Sequence, residues 1–269
     1  MITLRIIQQP TVPLEAECLT PDRLVELTND QIRAAVLYHG KRQVRVDEFF
    51  QVDGEQSDAI ELHGDLSRVR HLGRQMSRGT ITIHGDAGMH LGAHMSGGEI
   101  EVFGNAGDWL GGEMRGGRIR IHGRAGQQVG AAYRGSLVGM RGGSIFVDGA
   151  VGIETGMRMK RGLIVAGGRA GDFVGLQMKG GTILLRQGAE IRTGAWMQRG
   201  TIISLADLQL MPTFAYSGTY NPTFANVLAG RLAKFGTELP FNVSEGGYDR
   251  YCGDRAVPGK GEVLIWKPR

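Results

Sequence analysis

Among 269 residues there are only two cysteines, Cys18 and Cys252. Two cysteines fit neither a disulfide framework nor a metal-thiolate set, so two free thiols in a reducing compartment, the cytoplasm, are expected. No segment approaches the roughly 18 apolar residues of a membrane span. The opening "MITLRIIQQPTVPLEAE" lacks the charged head and apolar body of a secretory signal. Basic residues number 31 against 27 acidic ones, but they are spread along the chain and form no run of the kind that marks a nucleic-acid arm. Neither a nucleic-acid nor a membrane partner is expected, and the length is ample for a real core.

What the chain has in excess is glycine, 44 residues of it. A stretch such as "GNAGDWLGG" on its own suggests a phosphate-cradling loop. Aligned on itself, however, the chain repeats: "TITIHGDAGMHLGAHMSGG", "EIEVFGNAGDWLGGEMRGG", "SIFVDGAVGIETGMRMKRG", "LIVAGGRAGDFVGLQMKGG" and "TILLRQGAEIRTGAWMQRG" share one template. Its marker is a methionine three residues before a glycine, at Met76, Met95, Met114, Met140, Met159, Met178 and Met197, spaced by 19, 19, 26, 19, 19 and 19. A motif repeated in register is architecture, so the phosphate-loop interpretation falls.

Each unit opens with a short alternating run, Ile81-Thr82-Ile83 or Ile100-Glu101-Val102, followed by glycines and a second apolar patch such as Leu91 or Leu110. No unit holds a helix-length periodic segment. Short strands with tight glycine corners, coiled so that each strand pairs in parallel with its copy about 4.8 Å away, predict an all-β fold, a right-handed parallel β-helix (β-solenoid) of about seven turns over residues 57–205. A row of thioethers is chemically able to bind a soft metal, but a stacked coil needs a deformable apolar residue at one inward position per turn, and the methionines are assigned to the repeat core. Ile81, Ile100, Ile119, Ile145, Ile164, Ile183 and Ile202 form the second inward ladder.

Small α/β caps are expected at both ends, because a bare solenoid end exposes strand edges. In residues 1–56, "LTPDRLVEL" predicts a helix with Thr20 as N-cap and Pro21 at its first position, and "AAVLYHGKRQVRVDEFFQVDG" predicts two strands around a turn at His39-Gly40. In residues 206–269, "NPTFANVLAGRLAKFG" predicts a helix capped by Asn221, with Phe224, Val227, Leu228 and Leu232 on its inner face, and "GEVLIWKP" a last strand. The fourth turn carries seven extra residues, 26 instead of 19, placed within Ala131 to Leu137. Such insertions leave the coil as loops and often mark a binding face; a tolerated bulge is the alternative.

Chemistry is harder to find. Asp108 and Asp172 occupy equivalent positions but three turns apart, about 14 Å, too far for the paired carboxylates of a glycosidase. His63, His84 and His122 each precede a glycine at a strand end, yet Phe103 interrupts the row, so a solvated ladder is expected in place of a metal site. No serine or cysteine sits in a nucleophile context. No catalytic and no metal residue is assigned. One polar row stands out: Arg115, Arg141, Lys160 and Lys179 follow the methionines on successive turns. In register these like charges lie about 5 Å apart, at some cost in stability. Either they splay into solvent or they face an acidic partner. With Tyr133 and Arg134 on the insertion, taken as an exposed aromatic beside an arginine, they make up the candidate interface.

The repeat, the overlong turn "GAAYRGSLVGMRGG" and the tail "PTFAYSGTYNPTFANVL" with "RYCGDRAVPGKGEVLIWKP" resemble the C-type subunit of formylmethanofuran dehydrogenase and of the formyltransferase/hydrolase complex of methylotrophic bacteria. The repeat alone is shared with the C-terminal domain of the glutamate synthase large subunit; the overlong turn and tail are more specific. Where many archaeal relatives read Y-x-C-T-Y, this chain reads "YSGTY", which leans toward the bacterial complex. The resemblance implies a scaffold subunit, partnered by A-, B- and D-type subunits, in a cytoplasmic assembly of formaldehyde oxidation. That assembly takes a formyl group from formyl-tetrahydromethanopterin to a methanofuran-type carrier and releases formate. It implies no cofactor bound by this chain alone, and a carrier with an acidic tail for the basic row to face. The alternatives are the C-type subunit of a molybdenum or tungsten formylmethanofuran dehydrogenase and, in another class, a stand-alone carbohydrate-active β-helix enzyme.

Overall fold

The computed structural model describes residues 1–236 and 246–268. Among these, thirteen strands form one sheet. Its body is a parallel stack: Ile2–Ile6, Ala59–His63, Thr80–His84, Glu99–Val102, Arg118–Ile121, Arg141–Val147, Arg161–Ala166, Lys179–Leu185, Arg199–Ser204 and Gly261–Pro268 are neighbours in that order. The register keeps like residues on like, Ile81 on Ile100 on Ile119 on Ile145. This is the β-solenoid the repeat calls for. The stack runs past both ends of the repeat, with Ile2 set on Ile60 and Val263 on Ile202.

All seven ladder methionines are fully buried, as are the seven isoleucines. The spacing of methionine and following glycine has a steric cause. A Cβ at Gly98 would stand 2.6 Å from Met76 Cε, and one at Gly181 would stand 2.8 Å from Met159 Cε. Each thioether methyl therefore fills the space left by the missing Cβ one turn on.

A second corner of the coil is built differently. Four residues before each methionine-preceding position, and again at that position, the chain takes positive φ: His71 and Gln75, His90 and His94, Trp109 and Glu113, Glu154 and Arg158, Phe173 and Gln177, Arg192 and Trp196, with Gln128 in the long turn. The residue midway between each pair is also at positive φ and is glycine on every turn. There a side chain is excluded: a Cβ at Gly111 or Gly156 would meet an isoleucine Cδ1 at 2.5 Å. The two outer positions point away from the core and carry side chains, although left-handed backbone costs an L-residue about 1–2 kcal/mol.

The extra residues of the fourth turn are 133–139, displaced from the expected Ala131 to Leu137. Ala131 and Ala132 stay in the coil, Ala132 donating its amide to Met157 O as regular turns do (3.1 Å). The chain rejoins when Met140 bonds Gly130 O (2.8 Å).

The caps need corrections of detail. The Thr20-capped helix is a single turn, Pro21–Leu24, without a side-chain cap bond. Val36–His39 and Arg42–Arg45 pair around Gly40 as expected, and Leu14–Glu15 joins this small sheet to Val69–Arg70 of the first turn. The C-terminal helix spans Thr223–Lys234 with Pro222 in the cap position expected of Asn221. Its inner face is Ala225, Leu228, Leu232 and Phe235, while Phe224 and Val227 are exposed. The helix is rotated because it packs on the outward side chains of the later strands, Phe146, Leu163, Val165, Leu184 and Ile203. A strand not expected, Ala215–Tyr220, pairs antiparallel with Gly246–Gly253, which pairs with Gly261–Pro268. Residues 237–245 and 269 of the region 206–269 lie outside the described residues. No helix among the described residues is long and apolar enough to cross a membrane. Cys18 and Cys252 are free, and burial pushes the Cys18 thiol up.

Candidate functional site

The basic row and the insertion do come together, through Lys179. The amides of Arg115, Arg141, Lys160 and Lys179 each donate to the methionine carbonyl one turn back, at 2.7–2.8 Å, so the four backbones are in register. The side chains are not one row. Arg141 pairs across the sheet with Arg161, and Lys179 with Arg199, each beside a register shift. Lys179 Nζ donates to Leu137 O (2.8 Å), and Arg158 donates to Ser136 O (2.5 Å), pinning the insertion across the later turns. Arg141 and Arg161 line a groove of about 580 Å³ with Arg118 and Arg231, in which Glu99 is the one lining carboxylate among the described residues. Glu99 is taken by Arg118 (2.5 Å). An opening with that balance suits an anionic segment. Arg115 lines a separate pocket of about 350 Å³ with Gln75, His94 and Ser96.

Tyr133 does not have the exposure expected of it. It folds back over earlier turns, its hydroxyl 2.9 Å from His90 Nδ1 and its ring 4.6 Å from that of Trp109. His71 stacks on His90 (4.6 Å), and His94 lies 5.5 Å from Tyr133, which completes a column of rings. Glu113 accepts the Tyr133 amide (3.1 Å), and glycine at 112 makes room, since a Cβ there would stand 3.0 Å from the hydroxyl. Arg134 and Leu137 carry the exposed side chains of the loop, Leu137 at 71%. The sequence signal for this fold-back is the aromatic series His71, His90, Trp109 at one repeat position, one step short of the insertion.

Burial, aided by His71, Arg70 and Arg74, pushes His90 down from 6.5 to about 4. Burial likewise pushes Tyr133 up to about 12. At neutral pH His90 is an uncharged imidazole facing a neutral phenol. The folded value of His90 lies below its unfolded one, so its contribution to stability is complete above pH 6.5 and is lost as the pH falls toward 4. An NMR titration should show His90 neutral at pH 5.5; a midpoint near 6.5 would mean that Tyr133 does not cover it.

On the sheet's outer face, His63, His84, Phe103 and His122 stack ring on ring at 4.6, 5.2 and 4.8 Å. Glu61, missed in the sequence, accepts from His84 (2.7 Å) and lies 3.5 Å from His63 Nε2. The His84 hydrogen bond above all holds the Glu61 carboxyl below its usual range. These three are the set among the described residues with the donor chemistry for a divalent cation. His122 is set apart by Phe103 and pairs with Glu101 (2.9 Å) and Asp148 (3.2 Å). Asp108 and Asp172 accept backbone amides of the next turn, from Gln127 (2.8 Å) and Ile191 (3.2 Å), so both are structural caps.

Residues 61–213 match the GXGXG motif family. Over 98% of both chains, with 33% identity and a TM-score of 0.90, the structure is similar to one in the formyltransferase/hydrolase complex (FhcABCD) from Methylorubrum extorquens, solved in complex with methylofuran. The chain belongs to the family of C-type subunits of formylmethanofuran dehydrogenases and formyltransferase/hydrolase complexes. Among curated relatives, the C-type subunit of the tungsten-containing formylmethanofuran dehydrogenase 2 of Methanothermobacter wolfeii is 35% identical over 87 residues, 30% of this chain and 32% of that protein. The C-type subunit of the molybdenum-containing formylmethanofuran dehydrogenase 1 of Methanothermobacter marburgensis is 42% identical over 80 residues, 29% of this chain and 20% of that protein. The chain thus spans about a third or less of the curated relatives it matches.

Proposed function

We propose that the chain is a non-catalytic subunit of a cytoplasmic formyltransferase/hydrolase complex, partnered by A-, B- and D-type subunits. That assembly moves a formyl group from formyl-tetrahydromethanopterin through a methanofuran-type carrier to formate. The observation that carries this is the end-to-end likeness to a chain of the FhcABCD complex, caps included. The dehydrogenase relatives match only 29–30% of the chain, which makes the molybdenum or tungsten enzyme the second choice. A carbohydrate-active enzyme is disfavoured, since Asp108 and Asp172 serve as backbone acceptors. The bases for a scaffold role are a rigid stack of identical rungs and faces able to seat several partners. The Arg118, Arg141, Arg161 and Arg231 groove supplies a place for an acidic element of the assembly.

Affinity purification of the tagged chain from its own cells, with mass spectrometry of what accompanies it, tests this. A-, B- and D-type subunits should travel with it in fixed ratio. Recovery of the chain alone, or with a molybdenum or tungsten subunit, would contradict the assignment.

A further inference from the structure

The positive-φ corner has two kinds of position with opposite rules. At the middle position only glycine fits, because a Cβ would enter the isoleucine core. At the outer positions glycine would hold the same backbone without strain, yet thirteen described residues there carry side chains. What keeps them must lie outside the backbone. In the earlier turns they are spent on each other, in the ring column that Tyr133 closes. In the turns of Met159, Met178 and Met197 they are spent on each other only in part: Arg158 donates to Gln177 (2.7 Å) and Arg192 covers Phe173, while Trp196 is left open. Trp196 is 49% exposed there, and the neighbouring Ile153 and Ile191 are 39% and 40% exposed. Leu137 is held over the same turns by Lys179 and Arg158.

The charges at this corner are unbalanced in what they have left to offer. Asp172 is used by the Ile191 amide, and Glu154 by Gln128 (3.0 Å). The Arg192 guanidinium lies over the Phe173 ring, 5.0 Å from its centre. Neither Arg192 nor the exposed Arg134 has a carboxylate within ion-pair distance among the described residues. Aliphatic and aromatic side chains rimmed by arginine are the composition of a buried protein interface.

We propose that the corner of the last three turns, with Leu137 at the loop tip, is the seat of another subunit of the complex. An apolar ridge of that partner covers Ile153, Phe173, Ile191 and Trp196, and its carboxylates meet Arg192 and Arg134. This rests on the heteromeric assembly proposed above.

The backbone rule makes the test decisive. In the full chain co-expressed with the A-, B- and D-type subunits, Phe173→Gly, Arg192→Gly and Trp196→Gly are combined. The isolated variant should melt close to the wild-type temperature, the relief of left-handed strain offsetting the lost Arg192–Phe173 contact. The partner recovered on the tagged chain should fall more than tenfold. Leu137→Asp, at the exposed loop tip, should lower recovery in the same direction without changing the melt. Wild-type recovery with both variants would overturn the seat while leaving the assembly intact. A melting temperature of the glycine variant lowered well beyond the loss of the Arg192–Phe173 contact would overturn it too, since the side chains would then serve the fold. Absence of partners on the wild-type chain would overturn the assembly itself and the seat with it.

Discussion

Met159→Ala is expected to lower folding stability by about 2–5 kcal/mol, the range for truncating a buried methionine. Met159 is fully buried in mid-stack. Its methyl occupies the volume that Gly181, one turn on, leaves open. The hole cannot collapse easily, because the strands above and below are fixed by the ladder hydrogen bonds from Lys160 to Met140 O and from Lys179 to Met159 O (2.8 and 2.7 Å). Denaturant unfolding followed by circular dichroism measures the effect. An unchanged midpoint would place the thioethers in solvent.

Gly156→Val is expected to cost about 2–5 kcal/mol, from two sources that add. A β-branched residue at φ +72° is strained by about 1–2 kcal/mol. Its Cβ would also stand 2.5 Å from Ile183 Cδ1, and overpacking of that kind costs about 1–3 kcal/mol. Glu154→Gly, two residues away on the outward side, is expected to leave the melting temperature unchanged or raise it. A matching loss at both positions would contradict the inward and outward assignment of this corner.

The inward ladders were legible in the sequence because stacking enforces them: a methionine or isoleucine in the wrong frame would break two neighbouring turns. The outward face was legible only in principle. "TITIH", "EIEV" and "RIRI" alternate, as strands with one wet face do. "LIVA" and "TILL" do not alternate, and the C-terminal helix covers those strands. Reading that loss of alternation would have turned the helix to its true face, Ala225 and Leu232 inward and Val227 outward. The fold-back of Tyr133 depended on a partner 43 residues upstream, His90, which no local pattern reports. The left-handed corner was hidden for another reason. Nothing in the identity of a histidine, tryptophan or glutamate signals positive φ; only the glycine fixed between them does. The basic row was legible as backbone register, whereas the turn of Lys179 to the Leu137 carbonyl was not, because its partner lies 42 residues upstream on the insertion.

On the proposed reading, this chain brings surface to the complex and the other subunits bring the chemistry. Formyl transfer from formyl-tetrahydromethanopterin to the carrier, and formate release, should be measured with the purified chain alone and with the co-expressed assembly at equal molar concentration. Both activities are expected in the assembly and neither in the isolated chain. Turnover by the isolated, folded chain would contradict the scaffold role.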